Sequence, residues 1–122
     1  MKKRDLGSHD FLTHMLESAN RVLKYTSGMS RRQFLENSMI QDAVIRNIEI
    51  IGEAANNLLE VDPEFPKPDS SIPFVQIYGM RNRICHGYFS VSLEMVWDAV
   101  EVDIPELRRR ISKIVEDLPK NG

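Results

Sequence analysis

The sequence contains a single cysteine among its 122 residues. One cysteine cannot form an internal disulfide, so a reducing compartment is the simpler expectation. No apolar run approaches the ~20 residues that a membrane-spanning helix requires. The basic N-terminal stretch, MKKRDLGSHD, leads into no apolar segment of the kind found in secretory signals. These absences predict a soluble cytoplasmic protein without a membrane segment.

An excess of charge of one sign is also missing, since the formal net charge is −2 at pH 7. This balance argues against a protein whose whole surface binds nucleic acid, although a local basic site stays possible. No glycine-rich phosphate loop occurs. Three histidines and one cysteine without ligand spacing argue against a zinc site. We therefore expect neither a bound metal nor a cofactor.

Helical periodicity is the dominant pattern, and no alternating strand pattern accompanies it. Apolar residues recur at helical spacing from Phe11, where Ser8 or Asp10 could cap the helix and Gly28 could end it. A short connector, SRRQFLEN, precedes a second helical pattern from about Ser38 to Leu59.

The second half of the chain continues this pattern after a proline-rich loop, VDPEFPKPDSSIP. A helix is predicted from Pro73 to about His86, and another from an N-cap at Ser92. Pro105 lies inside this last helix and should kink or break it. The sequence thus predicts one domain over residues 1–122, an all-α antiparallel bundle of four long helices plus a short helix.

The helix predicted from Ser38 is apolar on more than one side, because Ile45, Ile48 and Ile50 lie off its main stripe. Such a helix needs two buried faces. A homodimer would cover the second face, and this is the interpretation that we favour. The alternative is a central, unusually buried helix in a monomer.

The segment RNRICHGY places Arg81, Asn82, His86 and Tyr88 at the end of the third long helix. A guanidinium binds phosphate oxygens, and an imidazole transfers protons near neutral pH, so the set suits phosphodiester cleavage. Asn82 and His86 are four apart and share a face, so Asn82 could orient the imidazole. The alternative is structural, since a histidine in the last turn of a helix often satisfies the end carbonyls.

The chain resembles HepT-like members of the HEPN superfamily, the toxin half of HEPN/MNT toxin–antitoxin pairs. The resemblance rests on QDAVIRNIEIIGEAAN, on the proline-rich loop, on GMRNRICHGYFSV, and on VW followed by IPEL. The family signature, Arg-x4-His-x-Tyr, matches Arg81, His86 and Tyr88, and Asn82 matches the polar residue that follows the arginine. Ser92, where relatives often have an acidic residue, is a departure that affects only the helix cap.

The resemblance implies a metal-independent endoribonuclease whose dimer brings two motifs around one RNA-binding cleft. In this interpretation Arg81 and His86 are catalytic and Asn82 is supporting. The partner implied is an MNT-type nucleotidyltransferase antitoxin that attaches AMP to Tyr88. One histidine supplies a single proton-transfer group, and the second could be the partner subunit's histidine, a tyrosine or a water.

A different class of function stays open on these residues. Helical bundles of this superfamily also serve as non-catalytic partners of nucleotidyltransferases. Arg81 and His86 would then bind phosphate without cleaving it.

Two charged features have two interpretations each. Glu53 either balances a buried cation such as Arg46 or Arg81, or is exposed on the one solvated stripe of its helix. The run Arg108 to Arg110 is either a solvated face, with Glu106 and Arg110 as an i, i+4 pair, or a contact to RNA phosphates.

Overall fold

The computed structural model describes residues 7–61, 74–84 and 91–117, and these residues are mostly helical. The helices are α1 (Ser8–Tyr25), α2 (Arg31–Leu35), α3 (Ser38–Val61), α4 (Phe74–Ile84), α5 (Leu93–Asp98) and α6 (Ile104–Asp117), and a π-helical segment, Ala99–Asp103, joins α5 to α6. This arrangement confirms the predicted all-α bundle. The four long elements are α1, α3, α4 and the continuous α5–π–α6 helix, and the short one is α2. No described helix combines the length and the apolar character needed to cross a bilayer.

Side-chain caps define where several helices begin. The Ser30 hydroxyl accepts a hydrogen bond from the Gln33 amide, and the Gln33 side chain accepts one from the Ser30 amide. Ser92 caps α5 as predicted, through a 3.3 Å bond from the Met95 amide. At α1 the Asp10 carboxylate accepts from the Gly7 amide. Gly28 has a positive φ of 73°, but it lies in the turn beyond α1 rather than at the end of the helix.

The core lies between α1, α3 and the α5–π–α6 helix, because α1 packs along α3 and also against α6. The short helix α2 is anchored by Phe34, which is fully buried. The centroids of the Phe34 and Trp97 rings are 5.2 Å apart. The backbone carbonyl of Phe34 accepts a hydrogen bond from the Gln41 side chain. A five-residue helix is too short to be stable alone, so these contacts hold it.

The structure of α3 differs from the two-sided apolar helix that motivated the dimer. Ile48 is buried within the single chain, and Ile45 is half-buried against the core. The exposed stripe of α3 is charged, and it carries Asp42, Arg46, Glu49, Glu53 and Glu60. Burial of Ile48 favours the central, unusually buried helix, while Ile50 is only half-buried and the dimer stays a prediction.

Pro105 does not break its helix. Proline has no amide hydrogen, and its ring clashes with the carbonyl four residues earlier in a regular α-helix. The chain widens into the π-helical segment directly before this position, and α6 then continues to Asp117. π-helical segments of this kind occur mostly as single wide turns inside α-helices. Pro105 is thus accommodated without a chain reversal, and Asp103, at the end of the segment, is buried.

Candidate functional site

The last turn of α4 carries the part of the predicted motif that the structure describes. Arg81 and Asn82 are both exposed there. Neither side chain forms a hydrogen bond or an ion pair with another of the described residues. His86 and Tyr88, with the predicted helix end at His86, lie outside the described residues.

Arg81 lies against α3 at a glycine. A Cβ atom built on Gly52 would be 3.2 Å from Cδ of Arg81, which is closer than most side-chain contacts. Gly52 is buried, so the stem of Arg81 takes the place that a side chain would occupy. Glycine inside a helix costs about 1 kcal/mol relative to alanine. This glycine, within the segment IGEAA, was a signal of close approach that the sequence contained.

Tyr78 shares a flank of α4 with Arg81, since the two are three positions apart. Its hydroxyl donates a 3.2 Å hydrogen bond to Oδ1 of Asn56, on α3. Burial raises the pKa of the Tyr78 phenol above its usual value, and the positive charge of Arg81 offsets part of that rise. Tyr78 is therefore a neutral hydroxyl at physiological pH, within the electrostatic reach of Arg81.

The opposite flank of α4 is held by a carboxylate from another helix. Nη2 of Arg83 lies 2.7 Å from Oδ2 of Asp103. The Gln76 side chain donates a 3.1 Å hydrogen bond to the other oxygen, Oδ1. The Asp103 side chain is only 10% exposed. Helix α4 is thus tied on one flank to α3 and on the other to the π-helical segment, while Ile77 and Met80 face the core.

A hydrogen bond also joins the two ends of the segment that contains His86 and Tyr88. The Ser92 amide donates a 3.0 Å bond to the carbonyl of Ile84, the last residue of α4. Ile84 is buried. The chain therefore leaves α4 and returns to the start of α5 at neighbouring points, so the segment begins and ends beside the turn that carries Arg81.

The structure bears on the two interpretations given for Glu53 and for the run Arg108 to Arg110. Glu53 is exposed and forms no ion pair with any described residue, as expected for the solvated stripe of α3. Arg109 pairs with Glu106 at 2.6 Å, and this hydrogen bond lowers the pKa of the Glu106 carboxyl. Arg108 donates to the Asn20 side chain, on α1. Arg108 and Arg109 therefore have structural contacts, and the positive charge of Arg110 also lowers the pKa of Glu106.

A surface depression at the connection between α1 and α3 makes a poor RNA site. It is about 460 Å³ in volume and is lined by Ser27, Gly28, Met29, Gln33, Glu36 and Asn37. None of these residues is basic, and a phosphate backbone is bound chiefly by lysine and arginine. Its one charge, on Glu36, would repel phosphate.

Comparisons with known proteins give a family match over most of the chain. A family model described as ribonuclease HepT-like matches residues 15–114. A Methanocaldococcus jannaschii protein named "gamma-glutamylcyclotransferase and putative RNase" is 41% identical over 111 residues, which cover 91% of this chain and 49% of that protein. The chain thus spans about half the length of this relative.

Two further relatives match over most of their own length. A "putative RNase" of M. jannaschii is 34% identical over 119 residues, 97% of this chain and 93% of that protein. A "probable ribonuclease HepT" of Thermococcus cleftensis is 32% identical over 105 residues, 86% of this chain and 93% of that protein. No solved structure gives a significant match.

The electrostatic interaction between Arg81 and Tyr78 predicts a measurable change in the pKa of Tyr78. In a chain in which Tyr25 and Tyr88 are replaced by Phe, Tyr78 is the only tyrosine. Arg81→Ala should then raise the pKa of Tyr78 further, because the guanidinium favours the tyrosinate and its removal disfavours ionisation. An ultraviolet titration of tyrosinate absorbance measures this. Arg109→Ala, the control, should leave the pKa unchanged, and a lowered pKa in Arg81→Ala would contradict the described geometry.

Proposed function

Because the chain belongs to the ribonuclease HepT-like family, we propose that it is an endoribonuclease toxin that cleaves RNA with Arg81 and His86 and without a metal ion. The observation that carries this proposal is that the stem of Arg81 is packed while its guanidinium is exposed. Its stem is held against α3 at Gly52, and its exposed guanidinium has no carboxylate partner among the described residues. An arginine fixed in this way is available to an anionic substrate.

Arg81 is the phosphate-binding residue in this mechanism. A guanidinium forms two parallel hydrogen bonds to phosphate oxygens and is always charged. It therefore stabilises the negative charge that develops on the phosphoryl oxygens as the transition state forms. Its preorganised stem adds to this effect, since less side-chain freedom is lost on binding.

His86 is the proton-transfer residue. The ribose 2′-oxygen attacks the adjacent phosphorus and gives its proton to a base, while the bond from phosphorus to the 5′-oxygen breaks and that oxygen accepts a proton. One histidine can perform either transfer, and Asn82 holds the imidazole in place. The other transfer is made by the partner subunit's histidine, a tyrosine or a water. The first product carries a 2′,3′-cyclic phosphate.

The cleavage proposal predicts a defined activity for the purified protein. Single-stranded RNA should be cut in EDTA to products with 2′,3′-cyclic phosphate ends, and DNA should not be cut because it lacks the 2′-hydroxyl. His86→Ala should lower the rate at least about 100-fold, the usual size of a general acid–base contribution. Arg81→Ala should lose a comparable factor, because an oriented charge at the transition state contributes about as much.

Denaturing gel electrophoresis and mass spectrometry of the RNA ends measure these effects. Glu106→Gln, on an exposed pair of α6, is the matched control and should cleave at the wild-type rate. RNA binding without cleavage by the wild-type protein would instead support the non-catalytic partner of a nucleotidyltransferase. Full activity in His86→Ala would place the catalytic group elsewhere.

We also propose that the active form is a homodimer, formed through the side of the molecule that carries α4 and the helix after it. Four of the six exposed large apolar side chains among the described residues occur there, namely Val75, Val91, Met95 and Val102. Val75 and Val102 are 89% and 67% exposed. Each is the sequence neighbour of one partner in the Gln76–Asp103 hydrogen bond. A twofold axis here would bring two copies of the motif together.

Light scattering tests this assembly. At micromolar concentration the mass should be about twice that of the 14.1 kDa chain. The double substitution Val75→Asp/Val102→Asp should give monomers, because it buries like charges at the interface without a partner. Met39→Asp alters a residue that is 75% exposed on α3 and should leave the dimer intact. A monomeric wild-type protein would refute the dimer.

Tyr88 is the proposed site of regulation. It lies in the motif, on the segment whose ends meet at the Ile84–Ser92 hydrogen bond. A cognate MNT-type nucleotidyltransferase would transfer AMP to its phenol, with the phenolic oxygen attacking the α-phosphorus of ATP and pyrophosphate leaving. The added phosphodiester would place a negative charge and an adenosine near Arg81. Both would compete with the RNA backbone for the guanidinium.

Co-expression with the nucleotidyltransferase tests the role of Tyr88. Intact-mass spectra should show added AMP units, and peptide mapping should place them on Tyr88. Tyr88→Phe should stay folded and toxic, and the partner should no longer silence it by modification. Tyr78→Phe is the matched control and should still be modified. An adduct on Tyr25 or Tyr78, or an unchanged mass, is the outcome that rejects this role.

A further inference from the structure

Asp103 is a buried carboxylate outside the predicted motif. The described hydrogen bonds of its side chain both come from residues of α4. Its two oxygens accept hydrogen bonds from Gln76 and Arg83. We propose that Asp103 is a positioning residue for RNA cleavage, which sets the rotation and the axial position of α4 and thereby places Arg81. This inference rests on the proposed function, because it concerns how one of the same two residues is held.

The two donors are placed so that one carboxylate fixes a whole helix. Gln76 and Arg83 are seven positions apart, so they lie on the same face of α4 two turns from each other. A contact at two such points opposes both rotation about the helix axis and sliding along it. The apolar face of α4 cannot do this alone, since burial of apolar surface is non-directional.

The opposite flank of α4 carries the residue to be positioned. Tyr78 and Arg81 lie about 180° from Gln76 and Arg83 around the axis, at about 100° per residue. Any rotation of α4 that breaks the Asp103 contacts therefore also moves Arg81 across Gly52. Such a movement would change the packing of the Arg81 stem at Gly52, where a built Cβ would lie 3.2 Å from Cδ of Arg81. The two flanks are consequently coupled through one rigid helix.

Stability is a weaker explanation for this carboxylate. Asp103 lies in a row of buried apolar residues that includes Val100 and Ile104. The pair itself is only partly buried, because the Arg83 side chain is 53% exposed, and ion pairs that reach the solvent contribute little to stability. The gain specific to the pair is geometric, since a 2.7 Å charge-assisted bond restricts the angle and the distance between two helices.

The chain also contains a chemically similar ion pair whose two residues lie on the same helix. Arg109 and Glu106 form an equally short bond of 2.6 Å, but both lie on the exposed side of α6. Breaking that pair removes the same kind of interaction without freeing one helix from another. It is therefore the control for loss of charge and of a salt bridge.

The test measures kcat and KM for a single-stranded RNA oligonucleotide in Asp103→Asn, Arg83→Ala and Glu106→Gln. Asp103→Asn should lower kcat about 10- to 100-fold, the range expected when catalytic groups are misplaced by up to about 1 Å. KM should change less than kcat, because a misplaced Arg81 still attracts phosphate but no longer matches the charge of the transition state. Glu106→Gln should match the wild type. Circular dichroism and thermal melting show that each variant is folded at the assay temperature.

A double-mutant cycle adds a readout that a general loss of stability would not produce. Removing Arg83 leaves Asp103 buried without its charge partner, so each single substitution carries its own cost. Asp103→Asn/Arg83→Ala should therefore lose no more kcat than the worse single variant. If Asp103→Asn does not fold, Gln76→Ala, which removes only the neutral bond, should show a smaller loss of kcat and a still smaller change in KM.

The outcomes separate this inference from the proposed function. If His86→Ala is inactive while Asp103→Asn and Gln76→Ala keep the wild-type kcat, the positioning role is wrong and the cleavage mechanism stands. If Arg83→Ala raises KM and Asp103→Asn changes nothing, Arg83 contacts RNA directly and the inference is overturned. If His86→Ala is fully active, the proposed function fails and the positioning role fails with it.

Discussion

The close approach of α4 to α3 at Gly52 is the constraint on which the arrangement of this protein depends. A side chain at this position of α3 would meet the stem of Arg81. The missing side chain leaves room for the Arg81 stem, and four positions along α3 Asn56 accepts a hydrogen bond from Tyr78. This room also gives the arginine a fixed path to the surface. An internal glycine carries a conformational cost, and the packing of the Arg81 stem is the contact that it makes possible.

Apolar burial and polar contacts have different tasks around this helix. The core face of α4, with Ile77 and Met80, supplies the attraction between helices without defining an orientation. Orientation comes from the flanks, where Asp103 accepts two hydrogen bonds and Asn56 accepts one. The exposed ion pair between Arg109 and Glu106 lies within one helix, so it neither attracts nor orients another helix. Such surface pairs contribute little to stability, about 0–1 kcal/mol.

The π-helical segment connects a local sequence feature to the site. Pro105 prevents a regular helical turn, and the wider turn that precedes it ends at Asp103. The sequence predicted a disturbance at Pro105 but not its form. A break would have separated α5 from α6. The π-helical segment instead keeps one continuous helix, with Asp103 buried where it reaches α4.

The sequence by itself determined the helices, the cap at Ser92 and the place of Arg81 and Asn82 in the last turn of α4. Each of these depends on residues within about four positions of one another, the range over which helical periodicity and capping act. The tertiary structure decided the exposure of Glu53 and the burial of Ile48. It also decided the contacts of Arg81 with Gly52 and of Asp103 with Gln76 and Arg83. These contacts join different helices, and they depend on how each helix is rotated and offset against its neighbour. The packing of the whole core sets that geometry, and no periodicity within one helix specifies it.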